Sequence, residues 1–292
     1  LLALRGCRLG GRLLDRLPMD RAMTGWQIFL STWQLQPSVL IGCVALIALY
    51  LLLVPQPTMR FTSYLAGVLV LACALLSPLD TLGDRYLFSA HMLQHLLLLL
   101  VVPPLLLIGL PLELVDSALA YPRLRWFERV VAQPLVAWPL ATVTLLVWHA
   151  PALYDAALAN EDIHIFQHLS FLFTATLFWW PVLAPLPERR LSLPLCILYL
   201  LGASFVNSVL GILITFAPPG LYPAYLHPVG LPAIEHVIRD VWLIDPASDQ
   251  QIGGLLMWVP GGMAYLFVIA AVFGRWLGEP DDAPDTLLAR PQ

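Results

Sequence analysis

The sequence contains no lysine: all fifteen of its basic residues are arginine, and the formal net charge is −4. Charged residues make up 12% of the chain, against roughly 25% in a typical soluble domain. No arginine run is interleaved with aromatic residues, which argues against nucleic acid as a partner. The four cysteines are isolated and no CxxC motif occurs, which argues against a thiolate metal site or a redox motif.

Hydrophobic residues make up 59% of the sequence and are concentrated in long stretches. A helix needs about 20 mostly apolar residues to cross a bilayer. We therefore predict an all-α polytopic membrane protein, with a seven-helix transmembrane domain over residues 25–277. The predicted spans are 38–54, 61–79, 86–110, 131–154, 163–183, 191–216 and 253–277. Residues 1–24 are expected to be a disordered tail or to precede a later true start, and 278–292 a disordered cytoplasmic tail.

The distribution of arginines predicts the orientation in the membrane. Past Met23, one side of a seven-span protein would carry Arg85 and Arg239. The other side would carry eight arginines: Arg60, Arg123, Arg125, Arg129, Arg189, Arg190, Arg275 and Arg290. The positive-inside rule then predicts a bacterial inner-membrane protein with a periplasmic N-terminus and a cytoplasmic C-terminus, although the arginines of residues 1–24 oppose it. The long outer loop, 218–252, is expected to form a lid or re-entrant segment over the helix ends.

Two histidine pairs share one spacing and one predicted depth. His91 and His95 begin the third span, and His164 and His168 begin the fifth. Residues four apart lie on the same face of a helix, so each pair presents two imidazoles together. His149 ends the fourth span on the same side of the membrane. The repetition predicts a functional site, although a lone membrane histidine more commonly donates a hydrogen bond between helices.

Imidazole is the commonest metal ligand in proteins and suits copper, zinc, iron and nickel. A thioether beside it favours copper, particularly copper(I). The predicted ligands are His91, His95, His149, His164, His168, Met92 and His236. Asp80, Asp84 and Asp155 lie at the same surface and are expected to orient the ligating rings. His227 is interpreted as a loop residue, and Met257 and Met263 as core side chains.

Other functions compete with copper binding. A haem-binding electron carrier would use axial histidines from two spans, such as His95 and His168. A copper transporter would need polar groups through the whole membrane, whereas the segment LLLLLVVPPLLLIG is apolar. A scaffold would use the histidines only between helices. The segment GGLLMWVPGG indicates tight packing, within the bundle or across a homodimer. No nucleophile–base pair or phosphate loop is visible, so we do not expect an enzyme.

Four segments together resemble a known family: HMLQHLLLLLVVPPLLLIGLP, VWHAPALYDAAL, HLSFLFTATLFWWP and QQIGGLLMWVPGG. In this order they are similar to the seven-span CtaG family of cytochrome c oxidase assembly factors, over about residues 37–277. The resemblance implies a role in maturing a haem–copper oxidase by copper delivery at the outer side of the membrane. It implies oxidase subunits and periplasmic copper chaperones as partners. The family's histidine motifs match at His91, His95, His149 and His168; His164 precedes the HLSF element.

Overall fold

The structure is a computed structural model that describes residues 25–54, 56 and 58–277. The predictions for residues 1–24 and 278–292 lie outside these described residues. The described part of the chain is helical and contains no strand. Its helices are α1 Gly25–Ser31, α2 Pro37–Leu53, α3 Arg60–Leu76, α4 Pro78–Arg85, α5 Phe88–Gly109, α6 Leu112–Leu119, α7 Pro122–Val131, α8 Pro134–Trp148, α9 Pro151–Ala159, α10 Glu161–Leu183, α11 Leu193–Phe216, α12 Pro232–His236 and α13 Pro246–Leu277.

Three helices, α5, α11 and α13, are each long and apolar enough to cross a membrane. The number rises to five if two bent pairs are single spans: α3 with α4, bent by 44°, and α7 with α8, bent by 66°. The fold is therefore an all-helical bundle that fits a multi-pass membrane protein. The described residues give three to five candidate spans, so the seven predicted spans are not confirmed. Helix α2 has only 17 residues, and the apolar character of α10 is diluted by Gln167 and two histidines. That these two helices also cross the membrane stays a prediction.

Helix α5 contains a π-helical turn, Leu97–Val101, shortly before its proline pair, Pro103–Pro104. Proline has no N–H, so the carbonyls four residues earlier lose their helical donors. Trp179 on α10 donates its indole N–H to the Leu99 oxygen at 2.8 Å and replaces one of these donors. The helix thus accommodates its proline pair with a π turn that a neighbouring helix supports.

Helices α11 and α13 share the largest helix–helix contact in the described bundle. They cross where Gly211 meets Gly254. A Cβ on Gly211 would lie 2.8 Å from the Gly254 oxygen, and a Cβ on Gly254 would lie 2.6 Å from the Thr215 nitrogen. Only glycine allows the two backbones to approach this closely. At this crossing, the glycine-rich start of α13 packs within the chain.

The long segment before α13 folds over the helix ends that carry the histidines. Tyr222 precedes a short 3₁₀ turn and Tyr225 ends it. Both side chains pack in a core cluster with Phe88 and Tyr154. The Tyr222 hydroxyl donates to the His149 backbone oxygen at 2.9 Å. The expected covering segment is therefore present and is packed into the core.

Candidate metal centre

Five histidine rings from three helices meet in one cluster. His91 and His95 come from the first turns of α5, His164 and His168 from the first turns of α10, and His149 directly follows α8. Ring centroids lie 4.3 Å apart in the α5 pair and 4.1 Å apart in the α10 pair. Between helices, the His91–His164 distance is 5.3 Å, and His95 lies 5.6 Å from both His149 and His168. The two predicted pairs therefore face each other.

The cluster is buried, yet most of its ring nitrogens lack a hydrogen-bond partner among the described residues. Unpaired are both ring nitrogens of His91 and His95, and Nε2 of His149, His164 and His168. His91 is 0% exposed and His95 is 1% exposed. A buried polar atom left unpaired costs about 1–3 kcal/mol. Seven such nitrogens in one place (two, two and three) indicate that the fold presents them to a ligand.

Two overlapping groups have the geometry of a metal site. The donor atoms of His91, His95 and His168 lie within 4.8 Å of one another, and so do those of Asp84, His91 and His164. An Asp84 carboxylate oxygen is 3.6 Å from His91 Nδ1 and 3.6 Å from His164 Nε2. Unpaired imidazole nitrogens beside a carboxylate are a suitable donor set for a transition metal. These residues therefore fit a transition-metal ion of the kind that imidazole binds, which includes copper, zinc, iron and nickel.

The start of α5, which positions His91, is fixed by a buried carboxylate on α13. Asp249 is 0% exposed. Its oxygens accept hydrogen bonds from the backbone N–H groups of Phe88, at 2.6 Å, and Ser89, at 3.1 Å, and from the Ser89 hydroxyl. These contacts satisfy donors that the first helical turn leaves free. On the other side of this turn, Gly83 of α4 lies against α5. A Cβ on Gly83 would be 2.9 Å from the backbone nitrogen of His91.

His149 is oriented by its own helix. Its Nδ1 lies 2.7 Å from the Leu145 oxygen, so Nδ1 donates and Nε2 is the nitrogen left free for a ligand. The ring of Tyr154 lies 5.2 Å from that of His91, and its hydroxyl is 2.8 Å from the Tyr225 hydroxyl. The aromatic side chains thus close the cluster from the side of the covering segment.

The three predicted orienting aspartates have different surroundings. Asp84 contacts two histidines, as described above. Asp80 accepts a hydrogen bond from the Gln94 amide at 2.8 Å, and its other oxygen is unpaired. Asp155 lies on α9 outside both candidate groups, where burial raises the pKa of its carboxyl. Only Asp84 is placed to act on the rings directly.

Two predicted ligands have surroundings different from those of the five rings. Met92 is fully buried in an apolar cluster that also contains Phe88, Leu145 and Met257. His236 is exposed and lies 2.6 Å from an Asp240 oxygen, one turn further along. We therefore do not include His236 in the candidate centre. The predicted loop residue His227 is exposed, and of the two α13 methionines Met257 is buried whereas Met263 is 48% exposed.

The sequence analysis did not identify two buried glutamines beside the histidines, although a repeated sequence pattern marks both. The pattern H-x-x-Q-H occurs twice, in HMLQH at 91–95 and in HIFQH at 164–168. Gln94 and Gln167 are both 0% exposed, and both amide atoms of Gln167 are unpaired. A search for repeated pentapeptides, rather than repeated histidine spacing, would have identified them. Asp249 gave no comparable signal, because its partners are about 160 residues away in the chain.

Comparison with known proteins identifies the family. Residues 45–279 match the family described as cytochrome c oxidase caa3 assembly factor, Caa3_CtaG. An uncharacterized protein of Mycobacterium leprae is 26% identical over 237 residues, which are 75% of this chain and 34% of that protein. An uncharacterized protein of Mycobacterium bovis is 25% identical over 236 residues, again 75% and 34%. The chain thus spans about a third of the length of these relatives.

No solved structure gives a significant match to the chain. The family match covers most of the sequence, including all five clustered histidines. The chain belongs to the cytochrome c oxidase caa3 assembly factor family.

Proposed function

We propose that this chain binds copper through its clustered histidines and supports maturation of the copper centre of cytochrome c oxidase. The family match supports the role in oxidase assembly and a non-catalytic function. The observation that carries the copper proposal is the set of seven buried, unpaired imidazole nitrogens. Copper is cargo in this proposal, and the protein's part is to bind it, shield it from water and release it to a partner.

The proposed principal ligands are His91, His95 and His168, whose donor atoms all lie within 4.8 Å of one another. His149 and His164 flank them, and Asp84 adds a negative charge at one edge. An all-imidazole set suits a copper ion. The predicted thioether ligand, Met92, belongs to the neighbouring apolar cluster and has no part in this proposal.

Haem is the main alternative cargo, with His95 and His168 as axial ligands. The cavity next to the histidine cluster is lined by Leu96, Leu99 and Asn207, among others, and has a volume of about 40 Å³. Pockets for small organic ligands are usually about 300–1,000 Å³. None of the five histidines lines this cavity, which is too small for a macrocycle, and a visible spectrum distinguishes haem from copper.

The location that we propose is the bacterial inner membrane, with seven spans and the histidines at the periplasmic face. Support comes from the opposite end of the bundle, where Arg60, Arg125 and Arg190 lie beside the last residues of three helices. The positive-inside rule places such an arginine-rich end in the cytoplasm. The proposed partners are subunits of the oxidase and periplasmic copper chaperones.

The test is metal analysis with a visible spectrum on detergent-purified protein loaded with copper. We expect stoichiometric copper and no Soret band for the wild type. The variant His91→Ala with His95→Ala should lose the copper, because it removes two of the three principal ligands. His236→Ala is the matched control, since it removes an exposed histidine from the segment that covers the same end of the bundle.

Two results would contradict the proposal. A Soret band would assign the histidines to haem. Wild-type protein that takes up neither copper nor haem would leave the histidines with a structural role in a scaffold.

A further inference from the structure

The two candidate ligand groups differ in their access to solvent. The side chains of Asp84 and His164 are 26% and 12% exposed, whereas that of His91 is 1% exposed. His95 is 1% exposed and His168, the third member of its group, is 9% exposed. One group therefore reaches the surface through Asp84 and His164, and the other lies deeper among the helices.

His91 belongs to both groups, and both of its ring nitrogens are unpaired. Its ring lies 5.3 Å from that of His164, 4.3 Å from that of His95 and 6.1 Å from that of His168. The His164 and His168 rings, one from each group, are themselves 4.1 Å apart. The two groups are therefore joined through one shared side chain. A shared ligand can hold an ion while the remaining ligands are exchanged.

We propose that the copper ion enters at an outer station, formed by Asp84, His91 and His164, and passes to an inner station, formed by His91, His95 and His168. The inference rests on the proposed copper-binding function and adds a path and an order of events to it. One ion uses the two ligand sets in turn.

The donor atoms of the two stations differ in a way that favours entry at the outer station and retention at the inner one. The outer station contains a carboxylate, which attracts a cation at the rim of the cluster. The inner station contains imidazole only, a donor set suited to copper. Transfer is ligand exchange: the bonds to Asp84 and His164 break, bonds to His95 and His168 form, and the bond to His91 persists. The oxidation state of the ion stays the same, so no electron donor or acceptor is required.

The experiment measures the rate of loading separately from the final amount bound. Cu(I) is offered to the detergent-purified full chain as its cationic acetonitrile complex. The Cu(I) left outside the protein at each time is measured in rapid-quench samples by the colour that it forms with bathocuproine disulfonate. The variant Asp84→Asn with His164→Ala should slow loading by about tenfold, the lower end of what charged clefts contribute to association rates. Its final copper content should equal that of the wild type, because the inner station is intact.

The complementary variant, His95→Ala with His168→Ala, leaves the outer station in place. It should take up Cu(I) at the wild-type rate and lose it to excess chelator, because the ion remains at the exposed rim. The matched control is His236→Ala with Asp240→Asn, an exposed histidine–aspartate pair outside both stations. This control should load and retain copper like the wild type.

Three outcomes would overturn the relay. Wild-type loading rates in the Asp84/His164 variant would show that the outer residues are not on the path. A copper content that falls from two ions to one in that variant would show two separate sites. A wild type that binds no copper would overturn the relay together with the proposed function, whereas the first two results leave copper binding intact. If the double variant elutes as an aggregate, Asp84→Asn alone makes the same rate comparison with all imidazoles retained.

Discussion

The two ends of the helical bundle use polar side chains in opposite ways. At the arginine end, side chains bond to the carbonyls that helices leave free at their C-termini. Arg60 donates to the Leu110 oxygen after α5 at 3.0 Å, and Arg190 donates to the Ala184 oxygen after α10 at 2.7 Å. Cationic groups at these positions also interact favourably with the helix dipole. The polar groups of this end serve the fold.

The histidine end lies at the beginning of the same two helices, α5 and α10. Here the imidazoles of His91, His95 and His168 are turned towards one another instead of towards the backbone. Both ring nitrogens of His91 and His95, and Nε2 of His168, remain unpaired, which a fold selected for stability alone would avoid. At the arginine end, Glu128 and Arg189 each leave one buried atom without a hydrogen bond, but the two side chains form an ion pair at 3.4 Å. The comparison indicates that seven unpaired imidazole nitrogens gathered in one place separate the candidate site from the structural polar groups.

The largest effect that we expect comes from replacing two inner histidines with leucine, His95→Leu with His168→Leu. The change removes unpaired buried nitrogens and keeps apolar volume, so the metal-free protein should be at least as stable as the wild type. Copper should no longer stabilise it, whereas the wild type gains about 2.7 kcal/mol at a free ligand concentration of about one hundred times Kd. Thermal unfolding in detergent, with and without Cu(I), measures both quantities.

The counterpart at the other end is Arg190→Gln. This variant weakens the bond to the Ala184 oxygen and should lower the stability of the metal-free protein by about 1 kcal/mol. Its stabilisation by copper should equal that of the wild type. If the leucine variant instead unfolds earlier than the wild type without copper, the histidines contribute to the fold and the contrast between the two ends disappears.

An intermediate effect is expected for Asp249→Asn, at the histidine end but with every contact satisfied. The two carboxylate oxygens accept separate N–H groups, from Phe88 and Ser89. An amide would place its own NH₂ against one of these donors, which should destabilise the protein by about 1–3 kcal/mol. Copper affinity should fall as well, because the first turn of α5 carries His91.

Ser89→Ala is the control for that variant, since it removes only the hydroxyl donor and leaves both backbone contacts to Asp249. Its loss of stability, measured by the same thermal unfolding, should be the smaller of the two. Equal stability of Asp249→Asn and wild type would mean that the carboxylate does not hold the start of α5.

The helical class and the histidine cluster could be predicted from the sequence, because both follow from short-range patterns. Long apolar stretches predict helices, and the i,i+4 spacing puts His91 beside His95 and His164 beside His168 on one helix face. Family resemblance and shared depth then predicted that the pairs would meet. The ring distances are consistent with that prediction.

Contacts between distant segments could not be predicted in this way. Asp249 bonds to Phe88 across 161 residues, and the α11–α13 crossing depends on which glycines meet. His236 was grouped with the ligands because it maps to the same side of the membrane, but side alone does not fix distance. In the structure its partner is Asp240, one turn further along the chain.

The smallest effect on stability is expected for replacing Asp245 with asparagine. This substitution removes the charge of the side chain but keeps its ability to cap the helix. Asp245 precedes α13 and accepts hydrogen bonds from the backbone N–H groups of Ala247, at 2.9 Å, and Ser248, at 3.0 Å, and from the Ser248 hydroxyl. The bond from the Ser248 hydroxyl, together with the backbone bonds, lowers the pKa of this carboxyl from its ordinary value of 3.8. Its contribution to stability is therefore fully present above pH 3.8 and is lost as the pH falls through the lower folded-state pKa.

Asparagine caps helices about as well as aspartate, so Asp245→Asn should change stability at neutral pH by no more than about 0.5 kcal/mol. The variant should also lose the part of the acid-induced destabilisation that Asp245 causes, which unfolding curves between pH 5 and pH 3 would measure against the wild type. Copper binding should be unchanged, although Asp245 precedes the same helix as Asp249. A loss of copper in this variant would mean that an exposed carboxylate with all its hydrogen bonds made still influences the centre. The distinction between paired and unpaired polar groups would then fail at the histidine end of the bundle.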